Sequence, residues 1–112
     1  MEIFIAPANQ AASYYNSWEV FVEDDVSGTV QVGSYAHKSN AVRGLGVICD
    51  GAHRANLTPT GDGVEATVFL STGFEIPLGL YSRASDATRG IQRFLNRLSN
   101  AREFQVLDEP LD

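Results

Sequence analysis

The stretch SYAHKSNAVRGLG, residues 34–46, is matched without a gap by LYSRASDATRGIQ, residues 80–92, at an offset of 46 positions. The two stretches share a Tyr, a Ser, an Ala, an Arg and a Gly in the same order and spacing. Self-similarity at a fixed spacing is the signature of a repeated supersecondary unit. The sequence therefore predicts a single domain over 1–112 that contains two related units, at about 17–53 and 64–100.

Each unit is predicted to begin with a β-hairpin. Apolar residues recur at every second position in WEVFVE (18–23) and TVQVGSY (29–35), and turn residues separate the two segments. The segments VEATVFL (64–70) and FEIPLGLY (74–81) alternate in the same way. A period of two is typical of strands that bury one face. Pro77 has no backbone N–H to donate, which favours either an edge position for the last of these strands or an orientation in which Pro77 faces away from the neighbouring strand.

An amphipathic helix is predicted to follow each hairpin, because apolar residues recur at helical spacing over 41–52 and 87–98. Ser39 and Ser85 are suitable N-caps for the two helices. Gly44 and Gly90 each cost about 1 kcal/mol relative to Ala inside a helix. Their equivalent places in the repeat therefore indicate a close packing contact.

The predicted fold class is α+β, with two tandem ββα repeats that form one mainly antiparallel sheet and two helices on one face of it. One hairpin and one helix cannot bury their apolar faces alone, whereas two such units side by side can. Two further short strands are predicted at 2–6 and 103–107, and loops at 7–17 and 51–63.

The repeated stretch also resembles a known family. The tract YAHKSNAVRGL, residues 35–45, resembles the signature of the YegP-like tandem-repeat domains, which are small bacterial and archaeal domains. The tract YSRASDATRGI, residues 81–91, is similar to it, with Ala84 in the place of Lys38. The resemblance implies a fold of repeated units, each made of strands plus a helix. It implies no substrate, no cofactor and no functional residues.

The charge of the chain is unevenly distributed. The net charge is −6, yet the segment 83–102 carries five arginines and one aspartate, a net +4. Such a segment either marks a contact surface or complements acidic neighbours within the fold. The single cysteine excludes an internal disulfide, and the first ten residues lack the pattern of a secretory signal. We therefore expect a cytoplasmic protein with no membrane partner.

No motif in the sequence predicts catalysis. Cys49 is predicted to be a small buried hydrophobe; His53 follows four residues later, but a zinc site needs three or four ligands. The GDG at 61–63 lacks the Lys and the Ser or Thr of a phosphate-binding loop. Asp24 and Asp25 are expected to be solvated in a hairpin turn and to make local hydrogen bonds there. The chain is therefore predicted to be no enzyme and to hold neither a cofactor nor a metal.

Strand alternation predicts an acidic and aromatic set of side chains on the sheet face away from the helices. The set comprises Glu19, Phe21, Glu23, Tyr35, Glu65, Phe69, Glu75 and Tyr81. Aromatic sheet faces can stack nucleic-acid bases, but carboxylates repel phosphates, so this face suits a basic protein or a second copy of the chain. The sequence leaves open whether residues 7–17, which include Tyr14 and Tyr15, or the terminal strands cover it.

Two hypotheses of function follow from different surfaces. The first is a small non-enzymatic protein–protein interaction module, binding another protein or forming a homodimer through Glu19, Phe21, Glu23, Glu65, Phe69 and Glu75. One form of it is a phage- or plasmid-type inhibitor, similar to an anti-CRISPR, that presents an acidic and aromatic surface to a nucleic-acid-binding protein. The alternative is a nucleic-acid-binding domain that contacts phosphates through Arg89, Arg93 and Arg97, which lie four apart on the second helix.

Overall fold

The computed structural model describes residues 1–8, 17–51 and 53–111. These residues form an α+β fold, as predicted, with seven strands and two helices. The elements are β1 (Glu2–Pro7), β2 (Trp18–Asp24), β3 (Gly28–Tyr35), α1 (Lys38–Asp50), β4 (Arg54–Thr60), β5 (Gly63–Phe69), β6 (Glu75–Tyr81), α2 (Ala84–Asn100) and β7 (Gln105–Val106). Tyr14, Tyr15 and Ala52 lie outside the described residues, and so does the proposed covering of the sheet by the interior of the 7–17 segment.

The strands form two sheets, so the prediction of one continuous sheet is wrong. The first sheet has the order β3-β2-β1-β7 and the second has the order β4-β5-β6. All pairs are antiparallel except β1 with β7. Each predicted hairpin pairs with one more strand, β1 or β4, which leaves β3 and β6 at sheet edges. The edge position of β6 agrees with the expectation from Pro77.

The strand β4 replaces part of the predicted loop over 51–63. All seven of its residues are exposed. Ala55, Leu57 and Pro59 do alternate with polar residues. This short pattern includes a proline and is followed by the turn residues of 61–63, which favours the interpretation as a loop. Its place depends on antiparallel pairing with β5, which runs from Arg54 opposite Phe69 to Thr60 opposite Gly63.

The two units share one hydrophobic core. The helix α1 packs on the first sheet, α2 packs on the second, and the two helices contact each other. The edge strands β3 and β6 also contact each other, and the hydroxyl of Thr72 donates a 2.9 Å hydrogen bond to the carbonyl of Val32. Fully buried side chains from both units and from β1 belong to the same cluster, among them Ile5, Val20, Ile48, Val68, Ile76 and Phe94. The predicted apolar stripes of both helices therefore face this shared interior.

A β-bulge at the same place in each unit reverses the alternation of the second hairpin strand. Val20 pairs with Gly33 and Phe21 with Gln31, which leaves Val32 as the extra residue. The pairs Ala66 with Gly79 and Thr67 with Pro77 leave residue 78 extra in the same way. An inserted residue turns the following side chains to the opposite face. Residues 35 and 81 therefore point towards the helices.

The two bulges explain the repeated stretch that opened the sequence. The hydroxyl groups of Tyr35 and Tyr81 lie against Gly44 and Gly90, where an added Cβ would overlap them. The predicted packing role of both glycines is confirmed. The predicted outward position of both tyrosines is wrong, because simple alternation does not account for the bulge. This contact between a tyrosine ring and a glycine packs each helix closely against its own sheet.

The helix ends are close to the predicted ones, but the caps differ. The N-cap residues are His37 and Arg83, which make no side-chain cap hydrogen bond, and the predicted caps Ser39 and Ser85 lie within the first turn. The carbonyls of His37 and Arg83 accept 3.1 Å hydrogen bonds from the first helical turn. The helix α1 ends before Gly51, as predicted.

Candidate functional site

The predicted protein-binding residues are divided between the outer faces of the two sheets, meaning the sides away from the helices. On the first sheet, Glu23 is exposed and Glu19 is half-buried. Phe21 is only 8% exposed, and its cross-strand neighbours are Phe4 on β1 and Gln31 on β3. The sequence leaves open whether this face is covered, and in the structure Phe21 is largely buried and offers little surface to a partner.

The outer face of the second sheet is more open. Glu65 and Glu75 are exposed, and Phe69 is half-buried. Phe69 lies in register between Arg54 of β4 and Glu75 of β6, which places an aromatic ring between opposite charges. This row of three residues offers both apolar contact and charge to a partner.

Leu80 is a residue of this face that the sequence pattern missed. Alternation along β6 predicts Leu80 inward, with Ile76 and Leu78. The bulge at Leu78 turns Leu80 outward instead, where it is 53% exposed and pairs in register with Glu65. The sequence feature that could have revealed this position is the repeat. Tyr81 is equivalent to Tyr35, and if both tyrosines face the helices, the adjacent Leu80 must face outward.

Arg97 is not free for phosphate contact, because it forms a two-pronged ion pair with Asp24. Its Nε and Nη2 atoms donate hydrogen bonds of 2.9 and 2.8 Å to the two carboxylate oxygens. The Asp24 side chain is 3% exposed and also accepts a hydrogen bond from the N–H of Val26. The hydrogen bonds from Arg97 lower the pKa of Asp24, against the opposing effect of burial. The local hydrogen bond expected of Asp24 is present, whereas the expectation that Asp24 is solvated is wrong.

Arg89 and Arg93 remain exposed, as predicted, and line a cleft of about 340 Å³. Neither has a carboxylate within 4 Å in the described part of the chain. Asp86 also lines this cleft, but Arg83 pairs with it at 3.2 Å. We call this surface the basic cleft; Tyr81, Gly90, Val26 and Arg97 complete its lining.

A second cleft of about 410 Å³ adjoins the first and has the opposite charge. Three exposed carboxylates, Glu2, Glu23 and Asp25, line it. Within residues 1–8, 17–51 and 53–111 none of the three forms a salt bridge. We call this surface the acidic cleft. Val26 and Arg97 line both clefts, so the Asp24–Arg97 pair marks the boundary between them.

The surroundings of Cys49 and His53 indicate that both residues have structural roles. Cys49 is buried, and burial is the main cause that raises the pKa of its thiol. The ring of His53 uses both nitrogens: Nε2 lies 2.7 Å from the carbonyl of Ile48, and Nδ1 accepts a 3.2 Å hydrogen bond from the N–H of Ser71. This arrangement fixes the tautomer with the proton on Nε2 and joins the end of α1 to the β5–β6 turn.

Among the described residues, no group of three or more His, Cys, Asp or Glu side chains could hold a metal ion. In that same part of the chain, neither helix combines the length and hydropathy that crossing a bilayer requires. Comparisons with protein-family models, curated proteins and solved structures give no match for this chain. The functional conclusion therefore depends on the surfaces described above.

Proposed function

We propose that this protein is a small non-enzymatic module that binds another protein through the outer face of its second sheet. The observation that carries the proposal is the exposed Leu80 in register with Glu65, beside the row of Arg54, Phe69 and Glu75. Exposed apolar groups supply the contact from which water is displaced, and surrounding charges select the partner.

The partner that suits this face is a basic protein. On this face the two exposed carboxylates Glu65 and Glu75 outnumber the exposed Arg54. Carboxylates at such positions can occupy a surface that normally binds phosphates. An inhibitor of a nucleic-acid-binding protein, of the anti-CRISPR kind, would use this chemistry in the cytoplasm. The small fold of repeated units that the YegP-like resemblance implies is compatible with such a role.

The test compares two exposed hydrophobic residues. Leu80 and Val47 are both 53% exposed, but Val47 lies on α1, away from the outer face. The immobilised chain is incubated with bacterial extract at 0.15 M and 0.5 M salt, and captured proteins are identified by mass spectrometry. We expect Leu80→Ser combined with Glu65→Lys to abolish capture of basic proteins, and Val47→Ser to retain it.

Two outcomes would contradict the proposal. Capture by the double variant that equals capture by the unchanged chain would exclude the outer face. A wild-type chain that captures no basic protein at either salt concentration would exclude the partner class. Circular dichroism of each variant checks that the fold is retained.

Nucleic-acid binding through the basic cleft is the second candidate. It is favoured by Arg89 and Arg93, which form no salt bridge with any residue that the structure describes. The net charge of −6 and the neighbouring acidic cleft oppose it, because both repel a polyanion. Fluorescence anisotropy with labelled single- and double-stranded oligonucleotides at low salt tests it. Two phosphate contacts to duplex DNA predict a log–log salt slope of about −2, and Arg89→Glu with Arg93→Glu should remove the binding. No binding at low salt would exclude this function.

A further inference from the structure

The two clefts together form a surface whose charges are complementary to those of a second copy of the chain. The basic cleft presents Arg89 and Arg93, and the acidic cleft presents Glu23 and Asp25. Val26, which is 45% exposed, lies at the shared boundary. A surface with opposite charges on either side of an apolar residue is complementary to its own copy after a two-fold rotation about that residue.

We propose that the chain forms a two-fold homodimer in which the acidic cleft of each copy faces the basic cleft of the other. In a two-fold interface a residue i contacts j while j contacts i, so one pairing of charges is made twice. Arg89 and Arg93 of each copy then approach Glu23 and Asp25 of its partner. The two Val26 side chains meet at the axis. This inference is independent of the proposed outer-face function.

Charge complementarity favours a second copy over other occupants. All four charges lack an ion-pair partner within the described part of the chain, so they are available for contacts with another molecule. A nucleic acid would satisfy the arginines but would bring its phosphates close to the carboxylates. A basic protein would satisfy the carboxylates but would meet the arginines. Only a partner with the same two-sided pattern satisfies both clefts at once.

The Asp24–Arg97 ion pair lies at the boundary between the two clefts and is already formed within the single chain. Two hydrogen bonds join its side chains, and the pair lies beside Val26 between the two clefts. A preformed surface loses less conformational freedom on association than a mobile one. Repulsion from the net charge of −6 is screened beyond about 10 Å at 0.1 M salt, whereas charges in contact are screened less.

The first experiment is a charge-swap test by sedimentation equilibrium in 0.15 M salt. The unchanged chain is expected to show a concentration-dependent mass that approaches twice its 12.2 kDa. Glu23→Lys with Asp25→Lys makes both clefts basic, and Arg89→Glu with Arg93→Glu makes both acidic. Each double variant alone should remain at the monomer mass. An equimolar mixture of the two should recover the dimer, because opposite charges then face each other at both contacts.

A second experiment probes the axis with single substitutions. Val26→Asp and Val26→Lys each place like charges opposite each other in any two-fold dimer, so both should shift the mass to that of a monomer. Their mixture should dimerise. Leu80→Ser serves as the control and should leave the dimer unchanged, because it alters only the outer face. Circular dichroism confirms that each variant is folded.

The outcomes separate the alternatives. Recovery of the dimer in both mixtures supports the proposal. A monomer mass for the unchanged chain at all concentrations overturns it, and so does a dimer that persists in both charge-reversed variants. Oligonucleotide binding that is lost with Arg89→Glu and Arg93→Glu, with no dimer in any sample, would assign the basic cleft to nucleic acid instead. Failure of outer-face capture with an intact dimer would reject only the proposed function.

Discussion

The two strand-and-helix units of this protein share their internal contacts and differ at their surfaces. In both, a bulge turns a tyrosine onto a helical glycine, Tyr35 onto Gly44 and Tyr81 onto Gly90. Forty-six residues separate equivalent positions, and by that offset the exposed Val47 of α1 corresponds to the exposed Arg93 of α2. Matching residues therefore hold helix to sheet, whereas residues that differ decide what each unit can contact.

The hairpins differ in the same way. Asp24 ends β2 and pairs with Arg97, whereas its equivalent in the second unit, Leu70, is buried in the core. The ion pair thus joins the first hairpin to the helix of the second unit, and it creates the boundary between the two charged clefts. The presence of Asp24 where the second unit has Leu70 therefore both connects the two units and separates the two charged clefts.

Truncation of the equivalent core residues Ile48 and Phe94 gives the largest expected effect. Both are fully buried in the shared cluster. We expect Phe94→Ala to lower the free energy of unfolding by about 4 kcal/mol and Ile48→Ala by about 3 kcal/mol. Urea unfolding followed by circular dichroism reports the whole chain, and the fluorescence of Trp18, the single tryptophan, reports the first unit.

The two probes also test whether the core is shared. Since both residues belong to one cluster, each variant should unfold in one transition that both probes follow together. A Phe94→Ala variant whose Trp18 transition stays at the wild-type urea concentration, while the circular dichroism transition shifts, would show two independently stable units.

Substitution of the helical glycines tests the contact that the units share. An alanine at 44 or 90 would overlap a tyrosine hydroxyl, which typically costs about 1–3 kcal/mol and exceeds the helix-propensity gain of about 1 kcal/mol. Gly46 in the same helix as Gly44 faces open space. We therefore expect Gly44→Ala and Gly90→Ala to destabilise by about 1–2 kcal/mol, and Gly46→Ala to stabilise slightly.

Double-mutant cycles give the matching control. In a Tyr35→Ala or Tyr81→Ala background the overlap is absent, so the corresponding glycine-to-alanine change should become stabilising by up to about 1 kcal/mol. Denaturant unfolding of the four variants in each cycle measures this. If the glycine substitutions destabilise equally with and without the tyrosine, the ring does not contact the glycine.

The Asp24–Arg97 pair predicts that the free energy of unfolding depends on pH. The second hairpin has no equivalent contribution, because Leu70 stands in the place of Asp24. Arg97 lowers the pKa of Asp24 in the folded state, so the pair contributes stability above the ordinary pKa of an aspartate, about 3.9, and this contribution is lost as the pH falls through the lower folded value. Because Arg97 is partly exposed, we expect Asp24→Asn to cost only about 1 kcal/mol at pH 7. Stability measured from pH 6 to pH 2 should fall less steeply in this variant. Identical pH profiles would show that the pair does not contribute.

The smallest expected effect concerns Cys49, whose equivalent in the second unit is Leu95. Burial raises the pKa of this thiol and limits access to it. We expect alkylation of the native protein to be slower than that of the denatured chain by about tenfold or more. Mass spectrometry over time measures both rates, and equal rates would contradict the buried position.

The sequence was sufficient for features that repeat or alternate. The α+β class, both hairpins, both helices and the packing role of Gly44 and Gly90 could be predicted because period-two and helical patterns record burial directly. The bulges at Val32 and Leu78 could not, because an inserted residue changes the alternation without changing its composition. Leu80 was therefore assigned to the wrong side of its strand.

Features that depend on tertiary pairing were also beyond the sequence. The short alternation of Ala55, Leu57 and Pro59 in β4 gave only a weak local signal, and the register with β5 is what identifies the strand. Asp24 and Arg97 are separated by 73 positions, so neither local pattern indicates the other. The one-sheet prediction is wrong for the same reason, since strand order depends on which hairpin strand β1 and β4 each pair with.

The placement of the two tyrosines on the helix side is the central structural claim, and nuclear Overhauser effects test it most directly. Isotope-edited spectra should show cross-peaks from the Tyr35 ring to the Gly44 α-protons and from the Tyr81 ring to the Gly90 α-protons. Cross-peaks from the Tyr81 ring to Glu65 or Phe69 instead, without any to Gly90, would place it on the outer face and contradict the account.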